Sequence, residues 1–240
     1  TNSGGISPNV VQSESEVLYL IRAPKVAQVD EIYKRVVKIA QGAALMTETE
    51  MTIVFDKACS NYEPNRVLEN LLYSKLQEAG PIQPTAEEKA FAEGIWNTLS
   101  EGEKKNFVGG MESFGYSGDG SEFEGKFLAD IIAAYEPSDK IMPGSTDVSD
   151  VSWVVPTAQV TTATSAIGTP LHTWQMVTQG LSSYAHSGML LAAQSMAEAA
   201  IHLFENEEDL AAAKAEHEKK RAKEPYVNPI PEDVKPSAVK

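Results

Sequence analysis

The sequence predicts an α/β fold, and three observations carry that expectation. Glu16 to Arg22 reads as a strand, Val26 to about Met46 as a helix and Glu50 to Asp56 as a second strand, so the chain opens on a strand, helix, strand alternation. A threonine-rich extended run, Val160 to Thr164, reaches Gly168 and Pro170 before a long helical pattern begins at Trp174, which is a strand-to-helix junction. Hydrophobic residues make up 42% of the 240, enough to build a core in one large domain or two smaller ones.

The elements follow in order. Val29, Ile32, Val36, Ile39 and Ala43 recur at helical spacing after the Pro24-Lys25 turn, whereas Met51, Ile53 and Phe55 alternate with polar residues, the period of a half-buried strand. Asn65 is placed to cap a helix that runs through Val67, Leu71, Leu72 and Leu76 to about Ala79, where Gly80-Pro81 ends it. Thr85 and Glu88 have the spacing of a capping box for a further helix carrying Phe91, Ile95 and Leu99. Val108 to about Gly125 is rich in Gly, Ser, Asp and Glu. It has neither EF-hand nor phosphate-loop spacing, so a mobile surface loop is expected. From Trp174 to about Lys223 a helical region packs its first half through Leu190, Leu191, Met196 and Leu203, while the half from Glu205 is charge and alanine. Pro225, Pro229, Pro231 and Pro236 make the end an extended tail.

The charge balance bounds the function. With 34 acidic against 20 basic residues, a net charge of -14, a general nucleic-acid or anionic-membrane surface is not expected. The single cysteine, Cys59, rules out an intrachain disulfide framework, and no run approaches the roughly 18 apolar residues of a membrane span. A cytosolic setting follows as the expectation.

The residue that points most directly to chemistry is His172, in Ile167-Gly168-Thr169-Pro170-Leu171-His172-Thr173-Trp174, where Gly and Pro make a rigid support for an imidazole at a helix start. From spacing alone, a histidine there is more often a cap or a gap filler. Upstream, Pro143 to Thr157 places Asp147 and Asp150 with several hydroxyls in a turn. Such carboxylates support a metal-binding histidine or serve only as Asx-turn residues. Asn9 follows Pro8 and reads either as a turn residue or as an amide donor to a substrate. His186 is expected to pack or to bond at a helix terminus, and His202 and His217 to face solvent or an interface. Cys59 reads as a buried small hydrophobe.

Three blocks in consistent order carry a resemblance: Gly144-Ser145-Thr146-Asp147 with Asp150-Val151-Ser152-Trp153, then Gly168-Thr169-Pro170-Leu171-His172-Thr173-Trp174-Gln175, then Ala185-His186-Ser187-Gly188-Met189. They resemble the M20 family of zinc-dependent amidohydrolases and peptidases, most closely its aminobenzoyl-glutamate hydrolase branch. Gly4 to Val11 and Val17 to Pro24 look like part of that branch's lid. The resemblance implies the C-terminal part of a zinc-peptidase-like catalytic domain plus part of a ferredoxin-like (α+β) lid. Residues 1–60 would be a partial lid or dimerisation domain, 61–225 the C-terminal part of the catalytic domain, and 226–240 an extended tail.

It further implies a divalent metal pair, usually Zn with Mn or Co possible, with His172 as the C-terminal ligand and Asn9 and Asp147 as substrate contacts. The other ligands and the catalytic glutamate belong to an upstream segment, so no general base is expected in this chain and the isolated chain is expected to be inactive. The expected reaction is hydrolysis of the amide of an N-acyl amino acid, p-aminobenzoyl-glutamate foremost, in a homodimer formed through the lid. A non-catalytic assembly fragment, or an M20 enzyme of other specificity such as a dipeptidase, is the alternative.

Overall fold

A computed structural model of the chain describes residues 4–112, 115–138, 140–142 and 144–235. Thr1, Pro143 of the turn before Gly144, and Pro236 of the tail lie outside the described residues. The chain divides into two compact units, Thr1–Asn61 with Asn228–Lys240, and Tyr62–Val227.

In the first unit the helix α1 spans Val26–Thr47. Gln28 Oε1 accepts from the Lys25 N–H at 3.1 Å, and Val26 N–H donates to Asn61 Oδ1 at 3.4 Å. The helix ends where Glu48 turns left-handed (φ 54°), with Thr49 N–H returning to the Ala44 carbonyl at 3.0 Å. Tyr33 meets Phe55 edge to face at 6.1 Å. No residue of α1 is buried, and Ile39, Leu45 and Met46 stay largely exposed.

The second unit is built on three mutually packed helices, α2 (Arg66–Ala79), α7 (Ser183–Glu205) and α8 (Glu207–Arg221). Between them in sequence come α3 (Ala86–Trp96), α4 (Glu101–Glu112), α5 (Val148–Val154) and α6 (Trp174–Gln179). The capping residues act as their chemistry dictates. Asn65 Oδ1 accepts from Leu68 N–H at 3.1 Å, and Thr85 and Glu88 close a reciprocal box at 3.2 and 2.7 Å. The start of α2 is also fastened to α8: Glu216 accepts from the N–H groups of Arg66 and Val67, both at 3.1 Å, Asn65 Nδ2 donates to Ala213 O at 2.9 Å, and Lys220 donates to the Pro64 carbonyl. A carboxylate at a helix N-terminus satisfies orphan donors and complements the helix dipole. The core comprises Ala92, Ile95, Leu128, Ala166 and Tyr184, with Ile82, Phe127 and Ala163 against it.

The structure is helical and the α/β expectation is not confirmed: among the described residues there is no strand, and pairing is reduced to isolated bridges such as antiparallel Tyr116 with Tyr135. Glu16–Arg22, Glu50–Asp56 and Val160–Thr164 lack a ladder, since a strand requires a neighbour's donors and acceptors, which periodicity alone does not report. In the second unit, tyrosine side chains take over part of that role. The hydroxyls of Tyr184, Tyr73 and Tyr62 donate to the carbonyls of Ala129, Ala133 and Thr157 at 2.6, 3.3 and 3.2 Å. Burial, then the Glu69 carboxylate, pushes the Tyr62 hydroxyl up to about 12, so it remains a neutral donor across the physiological range.

Two further expectations change. The final helical region is broken at Gly180 and at Asn206, because Ser182 caps α7 through Ala185 N–H at 3.1 Å and Asn206 ends it. The segment 108–125 is not simply a surface loop: α4 runs into it, and Tyr116 and Phe123 are buried with their rings 5.9 Å apart. Of the histidines, His202 pairs with Asp209 at 2.6 Å, and His217 Nε2 is buried rather than solvent-facing. Cys59 is half-buried.

Helix α7 passes so close to the extended segment that a Cβ on Gly188 would lie 2.2 Å from the Ala163 carbonyl oxygen. Gly188→Ala is therefore expected to destabilise the unit by about 1–3 kcal/mol through overpacking against backbone. Thermal unfolding of the variant checks this, and an unchanged midpoint would contradict it.

Candidate functional site

The loop from Ala166 to Thr173 is held by one buried amide. Gln179, at the end of α6 and 2% exposed, accepts from Ala166 N–H at 2.6 Å and donates to Thr169 Oγ1 at 3.1 Å and to Gln175 O at 3.0 Å. Thr169 Oγ1 donates to Ala166 O at 2.7 Å, Thr173 Oγ1 to Pro170 O at 2.8 Å, and Ile167 N–H to Phe127 O at 2.9 Å. Thr173 then caps α6 by accepting from Met176 N–H at 3.3 Å. Gly168 takes φ 76°, a conformation that favours glycine, and a Cβ there would crowd the Trp96 ring at 3.3 Å.

At the end of this loop His172 adopts φ 61°, a left-handed conformation uncommon for a side chain with a Cβ, and it is exposed. Backbone strain at an exposed residue gains nothing from packing, and such strain clusters at functional positions. Loop residues from Ile167 to Leu171 line a cleft of about 750 Å3, and His172 itself lies just outside that lining. The cleft is largely apolar, with Glu69, Tyr73, Tyr135 and Gln159 among its polar members. Burial, then Glu69, raises the Tyr135 hydroxyl to about 12.

Asp147 is the exposed residue before α5, and its side chain makes no capping bond. Its neighbour Asp150 accepts from Tyr226 OH at 3.1 Å. Within α5, Ser152 is fully buried, donating to Ser149 O at 2.5 Å and accepting from Glu63 N–H at 2.9 Å. Trp153 lies under the Arg221 guanidinium at 3.8 Å. Asn9 belongs to the other unit, exposed in a turn, with Oδ1 accepting from Ser7 Oγ at 2.5 Å. That bond leaves the Asn9 amide nitrogen as the group on offer. His186 is exposed in the first turn of α7.

Among the described residues no group of three or more His, Cys, Asp or Glu side chains is placed to hold a metal ion. Sequence reasoning missed Gln179, whose one available signal is a polar residue on the buried side of a short helix beside Gly180.

Taken together, these features define a helical segment that presents a rigid histidine loop beside an apolar cleft. The comparison with known proteins makes this more particular. The chain is a relative of a p-aminobenzoyl-glutamate hydrolase subunit from Escherichia coli (strain K12), 48% identical over 244 residues that cover 100% of this chain and 50% of that protein. It thus spans about half the length of the curated relative it matches, and the resemblance read from the three sequence blocks is borne out. No protein-family model matches the chain, and no solved structure does. No helix among the described residues is long and apolar enough to cross a membrane.

Proposed function

We propose that this chain is the part of an M20-type, metal-dependent amidohydrolase that supplies one metal ligand, His172, and that the parent enzyme cleaves the amide of p-aminobenzoyl-glutamate or a related N-acyl amino acid. The observation that carries the reading is the exposed, left-handed His172 at the end of a loop fixed by Gln179. The relative's name supports the hydrolysis and the substrate. A neutral imidazole held in one orientation is a good ligand for Zn, and also for Mn or Co, and such a metal supplies Lewis acidity to the reaction. The other ligands and the general base are proposed to come from sequence corresponding to the half of the relative outside the match. Asp147, exposed and uncapped, and the Asn9 amide are proposed substrate contacts, with Asn9 donating to a carboxylate or carbonyl oxygen. The exposed Ile39, Leu45 and Met46 of α1 support pairing of two copies through residues 1–60.

The test is zinc content together with hydrolysis of p-aminobenzoyl-glutamate. Both are measured on this chain alone and on the chain mixed with the unmatched half of the Escherichia coli relative, each with a His172→Ala control. Zinc retained and substrate cleaved only by the mixture, both lost with His172→Ala, is the expected result. A mixture that assembles yet binds no metal, or one indifferent to His172→Ala, would overturn the assignment.

A further inference from the structure

The three tryptophans of the chain stand in different surroundings. Trp153 is buried beneath the Arg221 guanidinium, and Trp96 packs on Phe127 at 6.1 Å with the Lys104 ammonium over its ring. Trp174 is 59% exposed, and among the described residues its indole meets no other ring, no cation and no hydrogen-bond acceptor. Its backbone, by contrast, is firmly held. It is the first residue of α6, Thr173 caps that helix through Met176 N–H at 3.3 Å, and Thr178 Oγ1 donates to the Trp174 carbonyl at 2.8 Å. On the other side of His172, Leu171 is exposed as well, so two apolar side chains flank the presented imidazole. An indole left in water forgoes a large apolar burial, and one on a rigid backbone is a ready platform for a flat partner.

We propose that Trp174 recognises the acyl half of the substrate, and that the group it takes is an aromatic acyl ring lying flat against the indole. The inference rests on the substrate class proposed above and adds which side chain selects it. In an N-aroyl amino acid the ring is bonded directly to the amide carbonyl, so its receptor must stand next to the group that meets the carbonyl. Trp174 and His172 are separated by Thr173 alone, which keeps their Cα atoms within about 7 Å. A p-aminobenzoyl ring is planar and uncharged at neutral pH, and an offset stack on indole is favourable beyond the area it buries. A short aliphatic acyl group offers no such face. From Leu171 to Gly180 the sequence carries no Lys, Arg, Asp or Glu, so this surface suits the uncharged acyl end and not the dicarboxylate end.

The 240-residue chain, alone and mixed with the unmatched half of the Escherichia coli relative, is titrated with p-aminobenzoyl-glutamate and separately with N-acetyl-glutamate, both with a chelator present. The three indole N–H resonances are followed by heteronuclear NMR, that of Trp174 being the one lost in Trp174→Phe. The expected result, in at least one of the two samples, is a saturable shift of the Trp174 resonance with p-aminobenzoyl-glutamate only, while those of Trp96 and Trp153 stay in place. Affinity is taken from equilibrium dialysis. Trp174→Ala is expected to weaken binding about tenfold, and Trp174→Phe, which keeps a stacking face, by no more than about threefold. Alanine is a good helix former, so the Trp174→Ala chain should unfold at the parent's midpoint. No shift in either sample, an equal response to both ligands, or an affinity indifferent to Trp174→Ala would each overturn the inference. So would a Trp174 resonance that moves on mixing and then ignores ligand, since the other half would be covering the indole. His172→Ala should leave this metal-free binding intact, so a failure of the ligand assignment and a failure of aryl recognition are separate results.

Discussion

Gln179→Ala is expected to lower the stability of the Tyr62–Val227 unit by about 3 kcal/mol and, under the proposed assignment of His172 as a ligand, to weaken metal retention as well. The amide makes three hydrogen bonds inside the protein, and Ala166, whose N–H it accepts, is only 2% exposed. Removing it strands that donor and opens a cavity, and a stranded buried donor alone is worth about 1–3 kcal/mol. Gln179→Glu separates the two parts of the effect. It keeps an acceptor for Ala166 N–H but faces Gln175 O with a second oxygen in place of a donor, so an intermediate loss is expected. Denaturant unfolding of both variants checks the stability. Equal midpoints for Gln179→Ala and the parent chain would show that the loop does not depend on this amide.

Glu216→Ala should have a comparable effect for a different reason. Its carboxylate, with the side chain 21% exposed, accepts from the first two N–H groups of α2 and pairs with Lys220 Nζ at 3.0 Å. Charge-assisted bonds at a helix terminus put the expected loss at about 3 kcal/mol. Burial works against the ionised form, but the backbone donors of Arg66 and Val67 and the Lys220 ammonium outweigh it, and the carboxyl lies below its ordinary 4.5. Because the folded state binds this proton less readily than the unfolded chain, the stabilisation is fully present above about 4.5 and is lost as pH falls through the lowered folded value. The stability gap between the parent chain and Glu216→Gln, measured by urea unfolding, should therefore be constant from neutrality to about pH 5 and shrink below 4.5. A gap that is flat into acid would contradict this role.

Local chemistry was legible in the sequence. Asn65 and Thr85 with Glu88 start α2 and α3 through their side chains, Gly80 ends α2 through its positive φ, and the Gly168-Thr169-Pro170 turn before His172 needs the positive φ that glycine supplies. What was not legible depends on partners distant in sequence. Val160 to Thr164 has strand chemistry, yet no residue in a window of sequence says whether a neighbouring strand is at hand. The clamp of Glu216 onto Arg66 and Val67 reads in sequence as one more acid in a charged run. Gln179 was hidden for the same reason, because its worth comes from an amide thirteen residues away.

The fastening of α2 to α8 sets a timetable. Asn65 and Ala213 are 148 positions apart, Arg66 and Glu216 150, and Pro64 and Lys220 156. At a synthesis rate of about 5–20 residues per second, the start of α2 leaves the ribosome roughly 8–30 s before the residues that close it. During that interval its first N–H groups have only Asn65 and water. The unit gains its final closure when its C-terminal helix arrives, so its folding is completed from the end of the chain backwards.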